Sequence, residues 1–195
     1  MGKERLTAFS DAVLAIVMTI LVLELDLPSA PTLGALLELR TSFFSYALSF
    51  FWLGTMWTNL HNEWHAVERI SKSVIWWNLV LLFFSSLIPY ATSFVNLHFY
   101  TTTAQVFYGA VVLAVTGSTI GLNYSLERAN EDDASLRAMI AAGRFSLVID
   151  ITVKILGVAA AVWYPPAVMI SVLLTMLFML FPGYRHATKG MPSAK

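Results

Sequence analysis

Long apolar runs, separated by shorter polar segments, dominate the chain. A helix rises about 1.5 Å per residue, so about 20 apolar residues cross a bilayer core about 30 Å thick. The pattern therefore predicts an all-α membrane protein with six transmembrane helices per subunit. It also indicates one six-helix domain over residues 1–184 and a short cytoplasmic tail over 185–195. The six predicted spans are approximately 8–25, 43–60, 74–97, 104–122, 145–163 and 167–181.

Composition and charge agree with this pattern. Of the 195 residues, 57% are hydrophobic and 12% are charged, whereas about a quarter are charged in soluble domains. Ten of the twelve basic residues fall on one side of the predicted helices, which by the positive-inside rule places both termini in the cytoplasm. A net charge of zero argues against nucleic acid as a partner.

The first predicted helix opens with charge and then becomes almost wholly apolar. Arg5 stands four residues before Phe9-Ser10-Asp11, and apolar residues then continue to Leu23. Because a charge near the bilayer centre costs about 2.5–3.5 kcal/mol on insertion scales, such a residue needs a partner or a task. The opening therefore favours an ion pathway over a simple anchor.

Helical periodicity puts several bulky residues on one face of this helix. At about 100° per residue, Ile16, Ile20 and Leu23 share a stripe about 60° wide, and Thr19 flanks it. Asp11 falls about 140° away and should face other helices. Packing or lipid contact would explain the stripe, and so would a hydrophobic constriction that gates a pore by dewetting.

A polar segment follows the second predicted helix and is expected to form a loop. It carries His61 and His65, whose spacing suits metal chelation. No His-Glu-x-x-His motif accompanies them, so polar anchoring near Ser10 and Asp11 is favoured, with Asn78 as a further member. We therefore predict no metal site.

Asp150 and Lys154 lie one turn apart within the fifth predicted helix. Their spacing allows an ion pair along the helix. The pair could serve as a proton or ion relay, or it could be structural. No glycine-rich nucleotide loop and no Gly-x-Ser-x-Gly motif is present, so the sequence does not indicate an enzyme.

The Arg-x-x-x-Phe-Ser-Asp opening resembles the signature of the endosomal and lysosomal potassium channel family, in its small prokaryotic branch. Six spans with both termini in the cytoplasm agree with that resemblance. Residues 51–90 are also similar to the family, through Trp52, His61, His65, Asn78 and the sequence Leu87-Ile88-Pro89-Tyr90.

The resemblance implies a homotetramer in the cell membrane, with the first helix of each subunit lining a central pore. The constriction would be formed by Ile16, Thr19 or Ile20, and Leu23. The remaining signature residues would tie this helix to its neighbours; they are Arg5, Phe9, Ser10, Asp11, His61, His65 and Asn78.

The function implied is passive, weakly selective conduction of K⁺ without a cofactor; Na⁺, Rb⁺ and Cs⁺ are left open as further permeant ions. Glu24 and Asp26, just beyond Leu23, would concentrate cations at the pore mouth, or would only mark the end of the helix. The alternative is a proton-coupled cation carrier that uses Asp150 and Lys154.

Overall fold

The structure is a computed structural model that describes residues 2–180. The predicted tail, 185–195, and the end of the sixth predicted span at residue 181 lie outside the described residues. Within residues 2–180 the chain forms α-helices and no strands. The helices are α1 (Lys3–Leu23), α2 (Leu33–Glu38), α3 (Arg40–Ala66), α4 (Lys72–Ser86), α5 (Ile88–Leu97), α6 (Thr102–Ala129), α7 (Ala134–Ala160) and α8 (Ala167–Leu180).

The helical segments follow the order of the predicted spans. Helices α4 and α5 together occupy the third predicted span, and the short α2 lies in the connection after α1. Three segments are long and apolar enough to cross a membrane, Lys3–Leu23, Lys72–Leu97 and Thr102–Ala129. Ala167–Met179 is apolar but shorter. The chain is thus an all-helical protein with membrane-spanning character, and the count of six spans stays a prediction.

Several helices extend beyond the predicted spans. Helix α1 begins at Lys3, so its charged opening is already helical, and α6 continues to Ala129. The prediction of a loop directly after the second span is wrong, because α3 continues through both histidines to Ala66 and ends where Val67 becomes extended. The physical reason is that an apolar stretch indicates only the part of a helix that lies in the bilayer. Backbone hydrogen bonds can continue the same helix into the polar residues that follow.

The third predicted span, which α4 and α5 occupy, is interrupted at Leu87. Proline lacks a backbone N–H, and it is tolerated in the first turn of a helix but not inside one. Pro89 accordingly stands in the first turn of α5, and the Leu87 N–H closes α4 on the carbonyls of Phe84 and Ser85. The interruption lets α4 and α5 pack as separate helices.

Helix α6 is the central packing element, with contacts to α4, α5, α7 and α8. It lies close to α4 at Gly121, where an added Cβ would lie 2.5 Å from the Trp77 ring. The principal neighbours of α1 are α3, α4 and α5. Helix α1 therefore packs on one side only, which decides which of its residues remain uncovered.

Candidate functional site

One face of α1 is built into its own subunit. Its buried residues recur every three or four positions, as expected for a helix that packs on a single side. They turn toward α3, α4 and α5. These residues are Leu6, Ser10, Leu14, Val17 and Leu21.

The opposite face of α1 is uncovered and apolar. Ile16 is 58% exposed and Leu23 is 78% exposed, while Ile20, nearer the packed face, is 37% exposed. Thr19 is also exposed, but its hydroxyl donates to the Ile16 carbonyl at 2.8 Å. The hydroxyl is thus satisfied within the helix, and the stripe that periodicity predicted presents mainly hydrocarbon.

Ser10 anchors α1 to α4 in the core. The Asn78 amide donates to Ser10 Oγ at 2.9 Å, and Ser10 Oγ in turn donates to the Leu6 carbonyl at 2.9 Å. Both side chains are buried. Since a buried polar group must be paired, this contact fixes how α1 sits against α4.

Asp11 joins α1 to α3 through a partner that the sequence did not indicate. Trp57 Nε1 donates to Asp11 Oδ1 at 2.8 Å. The Trp57 ring packs on His61, with ring centroids 5.4 Å apart, and Nε2 of His61 lies 3.0 Å from Nε2 of His65. The carboxylate at the start of the apolar run is therefore paired with a neighbouring helix.

The predicted signature network is divided in the structure. Ser10 and Asn78 form one cluster, while Asp11, His61 and His65 belong to the other, through Trp57. Arg5 and Phe9 are exposed, and within residues 2–180 the Arg5 side chain makes no hydrogen bond. Lys3 supplies a tie that sequence analysis missed, because its Nζ donates to the Val67 carbonyl at 2.5 Å.

The ion pair of Asp150 and Lys154 in α7 makes its contacts within one subunit. Lys154 Nζ lies 2.6 Å from Asp150 Oδ2, donates to Thr116 Oγ1 at 3.0 Å, and sits 5.1 Å from the centroid of the Trp52 ring. Both charged side chains are buried. The helix spacing predicted the ion pair, but the contacts with α6 and α3 come from tertiary packing.

Two further predicted features concern ions. Among residues 2–180, no group of three or more His, Cys, Asp or Glu side chains is placed to hold a metal. Glu24 caps the end of α1 and is partly buried, while Asp26 lies exposed beyond it. Both acidic groups therefore stand at the same end of the uncovered stripe as Leu23.

These features define an integral membrane protein whose first helix has a buried polar anchor and an uncovered apolar face. The family model for the endosomal/lysosomal potassium channel TMEM175 matches residues 5–89. A potassium channel of Chryseobacterium sp. (strain P1-3) is 33% identical over 186 residues, which cover 95% of this chain and 96% of that relative. A potassium channel of Chamaesiphon minutus (strain ATCC 27169 / PCC 6605) is 32% identical over 120 residues, covering 57% of this chain and 59% of the relative.

The fold also matches a solved structure, described as a lysosomal potassium-selective channel TMEM175 homolog from Chamaesiphon minutus. The TM-score is 0.71 at 24% identity, over 92% of this chain and 98% of that one. The family model and the relative that is 33% identical over 95% of this chain show that the chain belongs to the endosomal/lysosomal potassium channel TMEM175 family. Members of this family are channels and not enzymes, so the expectation of a non-enzymatic membrane protein is confirmed.

Proposed function

We propose that the chain is one subunit of a homotetrameric, weakly selective, potassium-preferring channel in a prokaryotic cell membrane, crossing it six times with both termini in the cytoplasm. The relatives' description as potassium channels supports the ion. The observation that carries the pore assignment is the uncovered apolar face of α1, opposite a face that is anchored in the subunit.

One uncovered stripe cannot enclose a pathway by itself. Cyclic symmetry places the same surface of every subunit around one axis. Four copies of α1 would then face each other across a central opening, and the residues of the stripe would form stacked rings. The anchors at Ser10 and Asp11 would hold each α1 at a fixed distance from that axis.

Rings of bulky hydrocarbon suit a constriction that acts by size and hydration. Ile16 and Leu23 are seven residues apart, so the rings would span about 10 Å along the pore. Thr19 and Ile20 would occupy the levels between them. A ring wide enough to hold water passes partly hydrated cations, and a narrower ring dewets and closes. A modest preference for K⁺ would follow, because K⁺ loses hydration water at lower cost than Na⁺.

The acidic residues beyond the stripe supply the electrostatic part of the proposal. Glu24 follows Leu23 directly, and Asp26 stands two positions after Glu24. Rings of carboxylates at a pore entrance raise the local concentration of cations. They would increase the conductance without forming a selective binding site.

A proton-coupled carrier that uses Asp150 and Lys154 receives no support from the family relationship. The buried pair already has partners, since Lys154 also donates to Thr116. We therefore assign it a structural role in the proposed channel.

The direct test is the reversal potential of the purified protein in a planar bilayer, with K⁺ on one side and Na⁺ on the other. Unitary currents that reverse toward the K⁺ potential are expected. Saturating, proton-coupled flux without unitary currents would instead favour the carrier.

A further inference from the structure

Two histidine rings meet near the end of α3. His61 and His65 are one helical turn apart, so both side chains project from the same face of the helix. Nε2 of His61 lies 3.0 Å from Nε2 of His65. The pair follows the second predicted span, 43–60, and His65 is exposed while His61 is half-buried. Dissolved ions can therefore reach the pair from outside the described subunit.

The two rings approach each other at an angle. Their centroids are 4.5 Å apart, and their planes are inclined by 78°. Two rings that pointed head-on through these nitrogens would have more widely separated centroids, because each centroid lies behind its nitrogen. The two Nε2 atoms are therefore placed side by side, as two ligands of one metal ion are.

The distance between these nitrogens fits a right-angled coordination site. With metal–nitrogen bonds of about 2.0–2.1 Å, two nitrogens 3.0 Å apart subtend an angle of about 90–97° at the metal. A tetrahedral site would require about 3.3–3.4 Å between them. Angles near 90° are typical of square-planar and tetragonal Cu²⁺ and Ni²⁺ sites, and imidazole is a suitable ligand for both ions.

The surroundings of the pair favour a cation. The Asp11 carboxylate belongs to the same cluster through Trp57, and it forms no ion pair within residues 2–180. Its negative charge attracts cations to this end of α3. Hard cations such as Ca²⁺ and Mg²⁺ prefer oxygen ligands, so a pair of imidazoles selects a softer ion.

We propose that His61 and His65 bind one divalent ion of a late transition metal, Cu²⁺ or Ni²⁺, through their two Nε2 atoms. No group of three or more His, Cys, Asp or Glu side chains is placed to hold a metal among residues 2–180, so water completes the coordination. In the metal-free protein one Nε2–H donates to the other Nε2. That proton moves to Nδ1 of its own ring when the metal binds.

This proposal departs from the sequence-based prediction of no metal site. A spacing of four residues does not reveal whether two rings converge, and the side-chain positions in the structure supply that information. The pair includes none of the four proposed constriction residues. Metal binding is measured without ion conduction, so the failure of one proposal leaves the other standing.

The experiment is titration of Cu²⁺ into the untagged full-length protein at neutral pH, followed by electron paramagnetic resonance. Coordinating imidazole nitrogens split the Cu²⁺ spectrum, so the spectrum counts the bound nitrogens. His65→Ala removes one ligand and leaves the His61 ring on Trp57 in place. His98→Ala is the matched control, since His98 is also exposed but lies beyond α5. Every variant retains His186, whose contribution is therefore common to all of them.

We expect one Cu²⁺ per subunit at this site, coordinated by two imidazole nitrogens. His65→Ala should lower the affinity about tenfold or more, because even the loss of an outer partner of a metal ligand costs about 10–100-fold. His98→Ala should bind Cu²⁺ as the wild type does. A spectrum with a single imidazole nitrogen, or an unchanged affinity in a folded His65→Ala variant, would overturn the proposal.

A second variant covers the case in which thermal unfolding shows His65→Ala to be misfolded. His65→Asn keeps a polar side chain at the exposed position and removes the imidazole. It should lose the two-nitrogen spectrum. Wild-type affinity in a folded His65→Asn variant would likewise refute the site.

Discussion

Helices α1 and α7 differ in where their charged side chains lie. Helix α1 pairs its carboxylate, Asp11, with Trp57 near one end and leaves an uncharged apolar face uncovered. Helix α7 buries an ion pair, Asp150 and Lys154, in the packed interior. The buried charges are thus paired with each other, although Asp150 Oδ1 is buried without a donor among residues 2–180. The hydrocarbon of the α1 stripe is not covered by the described subunit.

In the proposed channel, a charge inside a predicted membrane helix does not by itself mark the route of an ion. Intramembrane charges are retained where a partner offsets their cost, and in α7 Lys154 Nζ supplies that partner for Asp150 Oδ2. An uncovered apolar stripe faces either lipid or other subunits, and in the proposed tetramer it faces the other subunits across the pore. Each prediction below separates these two roles.

The largest effect is expected from breaking the α7 pair. Lys154→Met leaves Asp150 buried without its counter-charge and should destabilise the protein by about 3–5 kcal/mol. Combining it with Asp150→Asn should recover much of that loss, as measured by unfolding in detergent. A stable double variant that retains K⁺ conduction supports the structural role. Loss of transport in that stable double variant would favour the carrier.

The two faces of α1 can be compared directly through two leucines. Leu21→Ala opens a cavity in the core and should cost about 2–5 kcal/mol of stability with little change in selectivity. Leu23→Ala, on the uncovered face, should leave stability nearly unchanged and widen the constriction, so that unitary conductance rises or the K⁺ preference falls. Single-channel recording and thermal unfolding of both variants provide the test. If Leu21→Ala altered conduction and Leu23→Ala destabilised the protein, the assignment of the packed face and the pore-lining face would be wrong.

A smaller effect is expected at the anchor of α1. Asp11→Ala removes the acceptor of the Trp57 indole and should lower stability by about 0.5–1.5 kcal/mol. It should reduce the amount of assembled protein more than the permeation of what assembles. Asp11→Asn keeps an acceptor oxygen and is the matched control. If Asp11→Ala assembled normally but conducted with altered selectivity, the anchoring role would be wrong.

The smallest effect concerns the start of α7, which precedes the fifth predicted span. The Ser135 hydroxyl and the Leu136 backbone N–H donate to Asp133 and lower the pKa of its carboxyl below the usual value. Because the folded pKa is the lower one, this cap stabilises the helix above the ordinary Asp range and loses that contribution as pH falls through the lowered value. Amide exchange protection over residues 134–138 should therefore decline in acid, and in Asp133→Asn it should depend less on pH.

Local patterns predicted the features that depend only on helix geometry. The stripe of Ile16, Ile20 and Leu23 followed from 100° per residue, and the structure leaves these residues exposed. The pairing of Asp150 with Lys154 followed from their spacing of one turn. Helix ends were predicted less well. Apolar composition indicates which residues lie in the membrane, but it does not indicate where the last hydrogen-bonded turn of α3 ends.

Features that depend on tertiary packing could not be predicted from the sequence. Trp57 lies 46 positions from the Asp11 that it contacts, and a tryptophan near a predicted interface is ordinarily part of an aromatic belt. Lys3 likewise lies 64 positions from Val67, whose carbonyl accepts its hydrogen bond. No periodicity within a single helix relates such residues, so only the assembled structure brings them together.

The central claim is that the uncovered face of α1 lines the cation pathway. The chain contains no cysteine, so a single introduced cysteine is the only target for a charged thiol reagent during bilayer recording. Leu23→Cys and Ile16→Cys should lose K⁺ current on modification. Val22→Cys is the matched control, since Val22 is 49% exposed but turned about 100° from Leu23 around the helix. Unchanged current in fully labelled Leu23→Cys and Ile16→Cys, or equal block of Val22→Cys, would contradict the account.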